Sequence, residues 1–184
     1  NFNLETSHVL PAMIRKIHLG KCLSEGDWGS VRKDLNARPV ENVSGDASES
    51  EILDILAKYG IYPGKVELWG TGKPLREFLW SEEMADASVY VMEKVDFADV
   101  RPAAGDIRNT HINIGTGKEL SIREVAFLIR EKVGFTGEIV FNSSKPDGTM
   151  RKLTDVEKLH ALGWHHTIEV DEGIERLYSW YLEN

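Results

Sequence analysis

Apolar residues recur at helical spacing in six stretches of the chain. Two of these stretches follow a serine with a glutamate three residues later, Ser48 with Glu51 and Ser121 with Glu124, which is the capping-box pattern of a helix start. Gly20 is expected to end the first helix. The predicted helices cover about 8–19, 49–59, 82–94, 122–133, 154–161 and 170–182.

Alternation of apolar and polar residues predicts short strands at 66–69, 76–80, 111–114 and 138–141. The first two flank the turn Gly-Thr-Gly-Lys-Pro at 70–74, which favours a β-hairpin. Residues 24–47 are weakly periodic and are expected to form a loop with one short helix. Because few strands are separated by many helices, the pattern predicts a mixed α/β or α+β fold.

Composition adds limits on the function. The 184 residues carry a net charge of −8 with a pI near 5.3, which argues against a general nucleic-acid-binding protein. Residues 1–38 nevertheless carry six basic and four acidic side chains, so an anionic small ligand is expected near the start of the chain. The single cysteine excludes an intrachain disulfide, and no apolar run is long enough to span a bilayer. These features indicate a cytoplasmic protein that binds no membrane.

Trp69 and Arg76 lie on either side of the glycine turn. An indole offers a flat apolar face, and a guanidinium offers two parallel donors that fit two phosphate oxygens. The pair therefore suits a nucleotide-linked substrate. The alternative interpretation of this pair is structural: Trp69 is buried and Arg76 lies on the surface of an ordinary hairpin.

Two other motifs resemble cofactor or catalytic signatures. Gly115-x-Gly117 follows a predicted strand, but the third glycine of a dinucleotide turn is replaced by Leu120, so we interpret it as a structural turn. Tyr90 and Lys94 have the spacing of a dehydrogenase Tyr-x-x-x-Lys pair, but no glycine-rich nucleotide loop precedes them. We therefore interpret that pair as structural as well.

Metal and thiol chemistry find little support in the sequence. His165 and His166 are adjacent and are expected to point apart, so no metal site is predicted. Nothing beyond Lys21 argues for an activated thiolate at Cys22. His8 could donate a proton near neutral pH, although an exposed histidine at a helix start is the commoner outcome.

Five ordered motifs together resemble the C-terminal part of the GDP-L-fucose synthase family, which are extended short-chain dehydrogenases/reductases. They read Thr-Ser-His-Val-Leu-Pro-Ala at 6–12, Trp-Gly-x-Gly-x-Pro-x-Arg-Glu-Phe-Leu at 69–79, His-Ile-Asn-Ile-Gly-Thr-Gly at 111–117, Ser-Lys-Pro-Asp-Gly-Thr-x-Arg-Lys at 144–152 and Leu-His-x-Leu-Gly-Trp at 159–164. The resemblance covers essentially the whole chain.

The resemblance implies an NADPH-dependent homodimer that converts GDP-4-keto-6-deoxy-D-mannose to GDP-L-fucose by 3,5-epimerisation and 4-reduction. His8 matches the acid of the epimerisation, which also lies against the nicotinamide of the cofactor. Lys16, Trp69, Arg76 and Asp147 match substrate-binding positions. No metal is implied.

The resemblance also implies a division of labour. Residues 1–184 are expected to form a substrate-binding domain, with segments 76–94 and 111–114 returning to an N-terminal Rossmann domain that the sequence lacks. The Ser-Tyr-Lys set and the catalytic cysteine of the family are expected in that missing half, so this chain alone is expected to be inactive. Part of another nucleotide-sugar epimerase or reductase, or a non-catalytic nucleotide-sugar-binding module, remains the alternative.

Overall fold

The computed structural model describes all residues 1–184 and has a mixed α/β fold, as the sequence predicts. Helices and short strands alternate along the chain. The helices are α1 (Val9–Glu25), α2 (Trp28–Ala37), α3 (Glu49–Lys58), α4 (Ser81–Lys94), α5 (Phe97–Val100), α6 (Ile122–Val133), α7 (Glu157–Ala161) and α8 (Val170–Glu183). The strands are β1 (Ile61–Tyr62), β2 (Lys65–Trp69), β3 (Leu75–Arg76), β4 (Leu120–Ser121), β5 (Glu138–Asn142) and β6 (Arg151–Lys152).

The larger sheet has the order β1-β2-β5. Strand β2 pairs antiparallel with β1 and parallel with β5, in a register that places Trp69 opposite Asn142. Apolar side chains of β2 and β5 form one core with α1, α6 and α8, and this core includes Ile17, Val66 and Ile129. The parallel pair therefore lies at the centre of the molecule and presents its carboxyl end to one side.

Helix α1 is longer than the sequence predicts, because Gly20 does not end it. The helix continues to Glu25 and ends at Gly26, which adopts a left-handed conformation with a φ of 67°. At Gly20 the helix passes so close to the larger sheet that an added Cβ would lie 2.5 Å from a methyl carbon of Val66. Gly20 therefore permits close packing of α1 on the sheet. Other residues of α1, namely Leu19, Cys22 and Leu23, belong to a second core that α1 forms with α2, α3 and β1.

The predicted hairpin at 66–80 is wrong. Strand β2 already has a neighbour on each edge, so β3 cannot pair with it, and the turn at 70–74 carries the chain into a second sheet of order β4-β3-β6. There β3 pairs antiparallel with β4 and parallel with β6. Trp69 and Arg76 therefore belong to different sheets.

Two other predictions were wrong in detail. Residues 111–114 form no strand, and 77–80 lie outside the short strand β3. The single helix predicted within 24–47 is present as the ten-residue helix α2, which begins at an Asp27 cap, although residues 24 and 25 belong to the end of α1. The capping boxes at Ser48 and Ser121 are confirmed, and each lies directly before its helix.

A buried ionic network joins α1 to α2 and α8. The Arg15 side chain is fully buried, and its Nε donates to Asp34 Oδ2 at 2.9 Å. The Tyr181 hydroxyl donates to the other oxygen of the same carboxylate at 2.6 Å. This network fixes α1, α2 and α8 relative to one another. None of the eight helices combines the length and the apolar character required to cross a membrane.

Candidate functional site

Three of the residues predicted to bind substrate line one open cleft of about 170 Å³. Trp69 comes from the end of β2, Arg76 from β3, and Asp147 from the loop between β5 and β6. The remaining lining residues are Val9, Gly72, Pro74, Ile122, Pro146 and Gly148. The two sheets thus bring an indole and a guanidinium to one cleft although the hairpin that predicted their proximity does not exist.

The Trp69 side chain is 62% exposed at the carboxyl end of β2. The amide N–H of the following residue, Gly70, donates to the carbonyl oxygen of Asn142 at 3.0 Å and fixes the end of the strand. The Lys145 ammonium lies 5.3 Å from the indole centroid. A large exposed aromatic face beside a cation suits a flat ligand that carries negative charge.

The Arg76 guanidinium is held by one of its nitrogens. Its Nη1 donates to the carbonyl oxygens of Leu75 and Thr149, both at 2.6 Å. Neither Nη2 nor Nε has an acceptor in the protein. These remaining donors can form charge-assisted hydrogen bonds with an anion in the cleft.

Asp147 forms part of the cleft wall. Its Oδ1 accepts from the amide N–H of Thr71 at 2.8 Å, and its Oδ2 accepts from the Thr71 hydroxyl at 2.7 Å. The hydroxyl and then the amide of Thr71 lower the pKa of Asp147 below its ordinary value. Asp147 therefore anchors the turn that links the two sheets, and its direct contact with a substrate stays a prediction.

Lys16 is not among the residues that line the cleft. Its side chain is buried on α1, and its ammonium has no hydrogen-bond partner in the protein. Burial lowers the pKa of Lys16 to about 8, and the charge of Glu67 opposes this shift. The structure thus holds a cation at a considerable free-energy cost, which is a frequent property of functional groups.

His8 is the exposed N-cap residue of α1, and its side chain makes no capping hydrogen bond. The next residue, Val9, lines the cleft. His8 therefore stands at the border of the cleft with its imidazole free to contact another group. Its catalytic and cofactor-binding roles stay predictions.

The glycine turn at 115–117 is occupied by the chain's own carboxylate. Glu77 Oε1 accepts from the amide N–H groups of Thr116 at 2.6 Å and Gly117 at 2.7 Å. Burial raises the pKa of Glu77, but the hydrogen bonds that this carboxylate accepts outweigh burial and the pKa is lowered. The geometry agrees with the interpretation of this motif as a structural turn, and no sequence pattern pointed to Glu77 as its partner.

The other suspected motifs also have structural roles. The Tyr90 hydroxyl donates to the carbonyl oxygen of Leu162 at 2.8 Å. Burial raises the pKa of Cys22 to about 11, so this thiol stays protonated at neutral pH. No group of three or more histidine, cysteine, aspartate or glutamate side chains is arranged to hold a metal ion.

Residues 40–115 match the NAD dependent epimerase/dehydratase family. Over 187 aligned residues, the whole chain is 36% identical to the GDP-L-fucose synthase of Escherichia coli (strain K12) and covers 45% of that protein. The chain therefore spans less than half the length of this curated relative.

Two solved structures from Campylobacter jejuni are more similar in sequence. A GDP-D-glycero-L-gluco-heptose synthase, solved in the presence of NADPH, is 43% identical with a TM-score of 0.85, and the alignment covers 100% of this chain and 49% of that one. A GDP-mannoheptose C4 reductase with NADP bound is 44% identical with a TM-score of 0.83, covering 98% and 48%.

Proposed function

Because the chain is homologous over its whole length to part of the GDP-L-fucose synthases, we propose that it is the substrate-binding portion of a GDP-sugar epimerase-reductase. The proposed reaction converts GDP-4-keto-6-deoxy-D-mannose to GDP-L-fucose by 3,5-epimerisation and NADPH-dependent 4-reduction. Residues beyond this chain supply the Ser-Tyr-Lys set and the catalytic cysteine, so these 184 residues alone are inactive. Segments 76–94 and 111–114 contact the cofactor domain, and the whole enzyme is a cytoplasmic homodimer.

The cleft that contains Trp69 and Arg76 carries the proposal. The exposed indole offers a face for the nucleotide or the sugar, and the two unpaired donor nitrogens of Arg76 match the oxygens of a diphosphate. Asp147 and Thr71 hold the turn between them. The arrangement supports recognition of the nucleotide part of the substrate, which every GDP-sugar shares.

Few residues of this chain fit NADPH. The glycine turn at 115–117 is filled by Glu77 and cannot bind a pyrophosphate without displacing that carboxylate. We therefore assign the main cofactor site to residues beyond this chain, and only His8 is assigned a contact with the nicotinamide. The bound cofactor supplies the hydride for C4.

His8 is assigned the acid role in epimerisation. The C4 ketone acidifies the hydrogens at C3 and C5, and an imidazole can return a proton to the opposite face of the sugar. The exposed position of His8 beside Val9 supports this role, because its ring nitrogens are not engaged by the protein. Replacement of His8 by glutamine is expected to impair epimerisation far more than nucleotide binding.

A GDP-heptose reductase is the second candidate. The two Campylobacter jejuni enzymes are 43% and 44% identical to this chain, whereas the Escherichia coli GDP-L-fucose synthase is 36% identical. A heptose carries hydroxylated carbons where a 6-deoxy sugar carries a methyl group. The two candidates share the nucleotide and differ in this end of the sugar and in whether C3 and C5 are epimerised.

The test uses the protein as its gene encodes it and measures NADPH oxidation with two substrates, GDP-4-keto-6-deoxy-D-mannose and a GDP-4-keto-heptose. A higher kcat/KM with the deoxy sugar supports the first candidate, and the reverse supports the second. Binding of UDP- or dTDP-sugars in preference to GDP-sugars contradicts both. Tight GDP-sugar binding with no turnover of either substrate indicates a non-catalytic module.

A further inference from the structure

Glu77 directly follows Arg76, and its carboxylate accepts four hydrogen bonds from two other segments of the chain. Its Oε1 accepts from the amide N–H groups of Thr116 at 2.6 Å and Gly117 at 2.7 Å, and from the Thr116 hydroxyl at 3.2 Å. Its Oε2 accepts from the amide N–H of Thr154 at 3.1 Å. Hydrogen bonds to a carboxylate are about twice as strong as those between neutral groups, so this is a firm junction.

The junction joins the two segments that flank β3. Thr116 and Gly117 lie just before β4, and Thr154 lies just after β6. All three strands of this sheet contain two residues, so few ladder hydrogen bonds fix their register. An added Cβ at Gly115 would lie 2.5 Å from Glu77 Oε1, so the loop is shaped closely around the carboxylate. The Glu77 carboxylate therefore helps to fix the register of β4 and β6 against β3, which the few ladder hydrogen bonds hold only weakly.

The register of this sheet determines the direction of the Arg76 guanidinium. Nη1 of Arg76 donates to the carbonyl oxygen of Thr149, two residues before β6 begins. Arg76 itself stands opposite Lys152 on β6 and Leu120 on β4. A shift of β6 would move the Thr149 carbonyl, one of the two that hold the guanidinium, and would turn the free nitrogens of Arg76 away from the cleft.

We propose that Glu77 is a positioning residue for substrate recognition, which clamps β4 and β6 onto β3 so that Arg76 points its two free nitrogens at the diphosphate. This inference rests on the proposed function, because it takes Arg76 as the diphosphate ligand. Glu77 itself does not line the Trp69 cleft.

The experiment compares Glu77→Gln with Glu131→Gln in the protein as its gene encodes it. At position 77, glutamine keeps one acceptor oxygen but points its NH2 group at a backbone N–H that is itself a donor, such as that of Thr154. Glu131 is the control because its side chain is exposed and has no hydrogen-bond partner. We expect Glu77→Gln to raise the KM for the GDP-sugar about tenfold with kcat changed less than about twofold. Glu131→Gln, with the same charge change, is expected to leave both constants unchanged.

A double-mutant cycle separates positioning through Arg76 from general loosening of the fold. If Glu77 acts through Arg76, Arg76→Met with Glu77→Gln has the same KM as Arg76→Met alone, because the group to be positioned is already gone. Additive effects of the two substitutions, or an unchanged KM in Glu77→Gln, would overturn the inference. An unchanged KM in Arg76→Met would instead overturn the proposed function.

A milder variant keeps the inference testable if Glu77→Gln does not fold. Thr116→Val removes one hydroxyl donor to Glu77 and leaves the three N–H donors in place, and it also removes the acceptor of the Lys118 amide N–H. We expect it to raise KM about two- to threefold, which corresponds to the loss of one or two weak hydrogen bonds. An unchanged KM in a folded Thr116→Val protein, judged by circular dichroism and urea unfolding, would count against the clamp.

Discussion

Replacement of Lys16 by methionine is expected to stabilise the protein at neutral pH. The Lys16 side chain is largely buried on α1 and its ammonium has no hydrogen-bond partner in the protein, whereas methionine has a similar length and no charge to desolvate. Burial lowers the pKa of Lys16 from 10.5 to about 8, against the smaller opposing effect of Glu67. The protein therefore spends folding free energy to keep this cation in place.

The size and pH range of the effect follow from that pKa. A difference of about 2.5 between the unfolded and folded pKa values corresponds to about 3 kcal/mol. Between pH 8 and 10.5 the unfolded state binds the extra proton, so wild-type stability rises with pH through this range. The full cost is present below pH 8, and Lys16→Met gains up to about 3 kcal/mol there. Above pH 10.5 the gain disappears because the amine is neutral in both states.

Urea unfolding at pH 7 and at pH 10.5 measures this difference. Lys94→Met serves as the control, because Lys94 is exposed, has no ion-pair partner and carries the same charge. We expect Lys16→Met to exceed the wild type at pH 7 and to approach it at pH 10.5. A variant less stable than the wild type at pH 7, or a gain that does not change with pH, would refute the reasoning. If Lys16 also contacts the substrate, the wild type binds GDP-sugar more weakly above pH 8, where the Lys16 amine becomes neutral. Lys16→Met then binds more weakly than the wild type at pH 7 and shows no such pH dependence.

Three further predictions concern single substitutions. Arg76→Met removes charge-assisted hydrogen bonds worth about 1.5–3 kcal/mol and should raise the Kd for GDP-sugar about 10- to 100-fold in isothermal titration calorimetry. Asp34→Asn leaves the fully buried Arg15 without its counter-charge and should lower the free energy of unfolding in urea by about 3–5 kcal/mol. Gly20→Ala forces a methyl group into Val66 and should cost about 1–3 kcal/mol, measured as a lower Tm.

Each of these predictions has a matched control. Arg101→Met and Asp54→Asn change the same charges at exposed positions and should leave affinity and stability unchanged. Gly173→Ala adds a Cβ in the helix α8, where the nearest atom would lie at an ordinary 3.7 Å, and should not lower Tm. An Asp34→Asn protein as stable as Asp54→Asn would mean that the buried network contributes nothing. A Gly20→Ala protein with the Tm of Gly173→Ala would show that α1 moves away from the sheet at little cost.

The helices could be predicted because their signals are local. Ser48 and Ser121 each form a capping box with a residue three positions later, and their helices begin where the pattern places them. Strand pairing is decided by distant residues. The prediction that 66–69 and 76–80 form a hairpin failed because β2 takes β5 as its second neighbour, more than 70 residues along the chain.

The same distinction explains what the sequence indicated about the site. The motif order pointed to Trp69, Arg76 and Asp147, and these residues do share one cleft. The sequence could not indicate that Thr71 occupies both oxygens of Asp147, since the two residues are 76 positions apart. It could not indicate that Lys16 is buried either, because a lysine on an amphipathic helix is normally exposed.

The parallel pairing of β2 with β5 also bears on how the protein folds. Parallel strands cannot be joined by a short turn, and here the connection between β2 and β5 runs from residue 69 to residue 138. Contacts between residues so far apart along the chain form late and slow the search for the native state. Since Trp69 ends one of these strands and Asp147 follows the other, a partly folded chain has no cleft. Nucleotide binding would therefore report that these two strands have paired, and a ligand present during refolding would stabilise the finished protein.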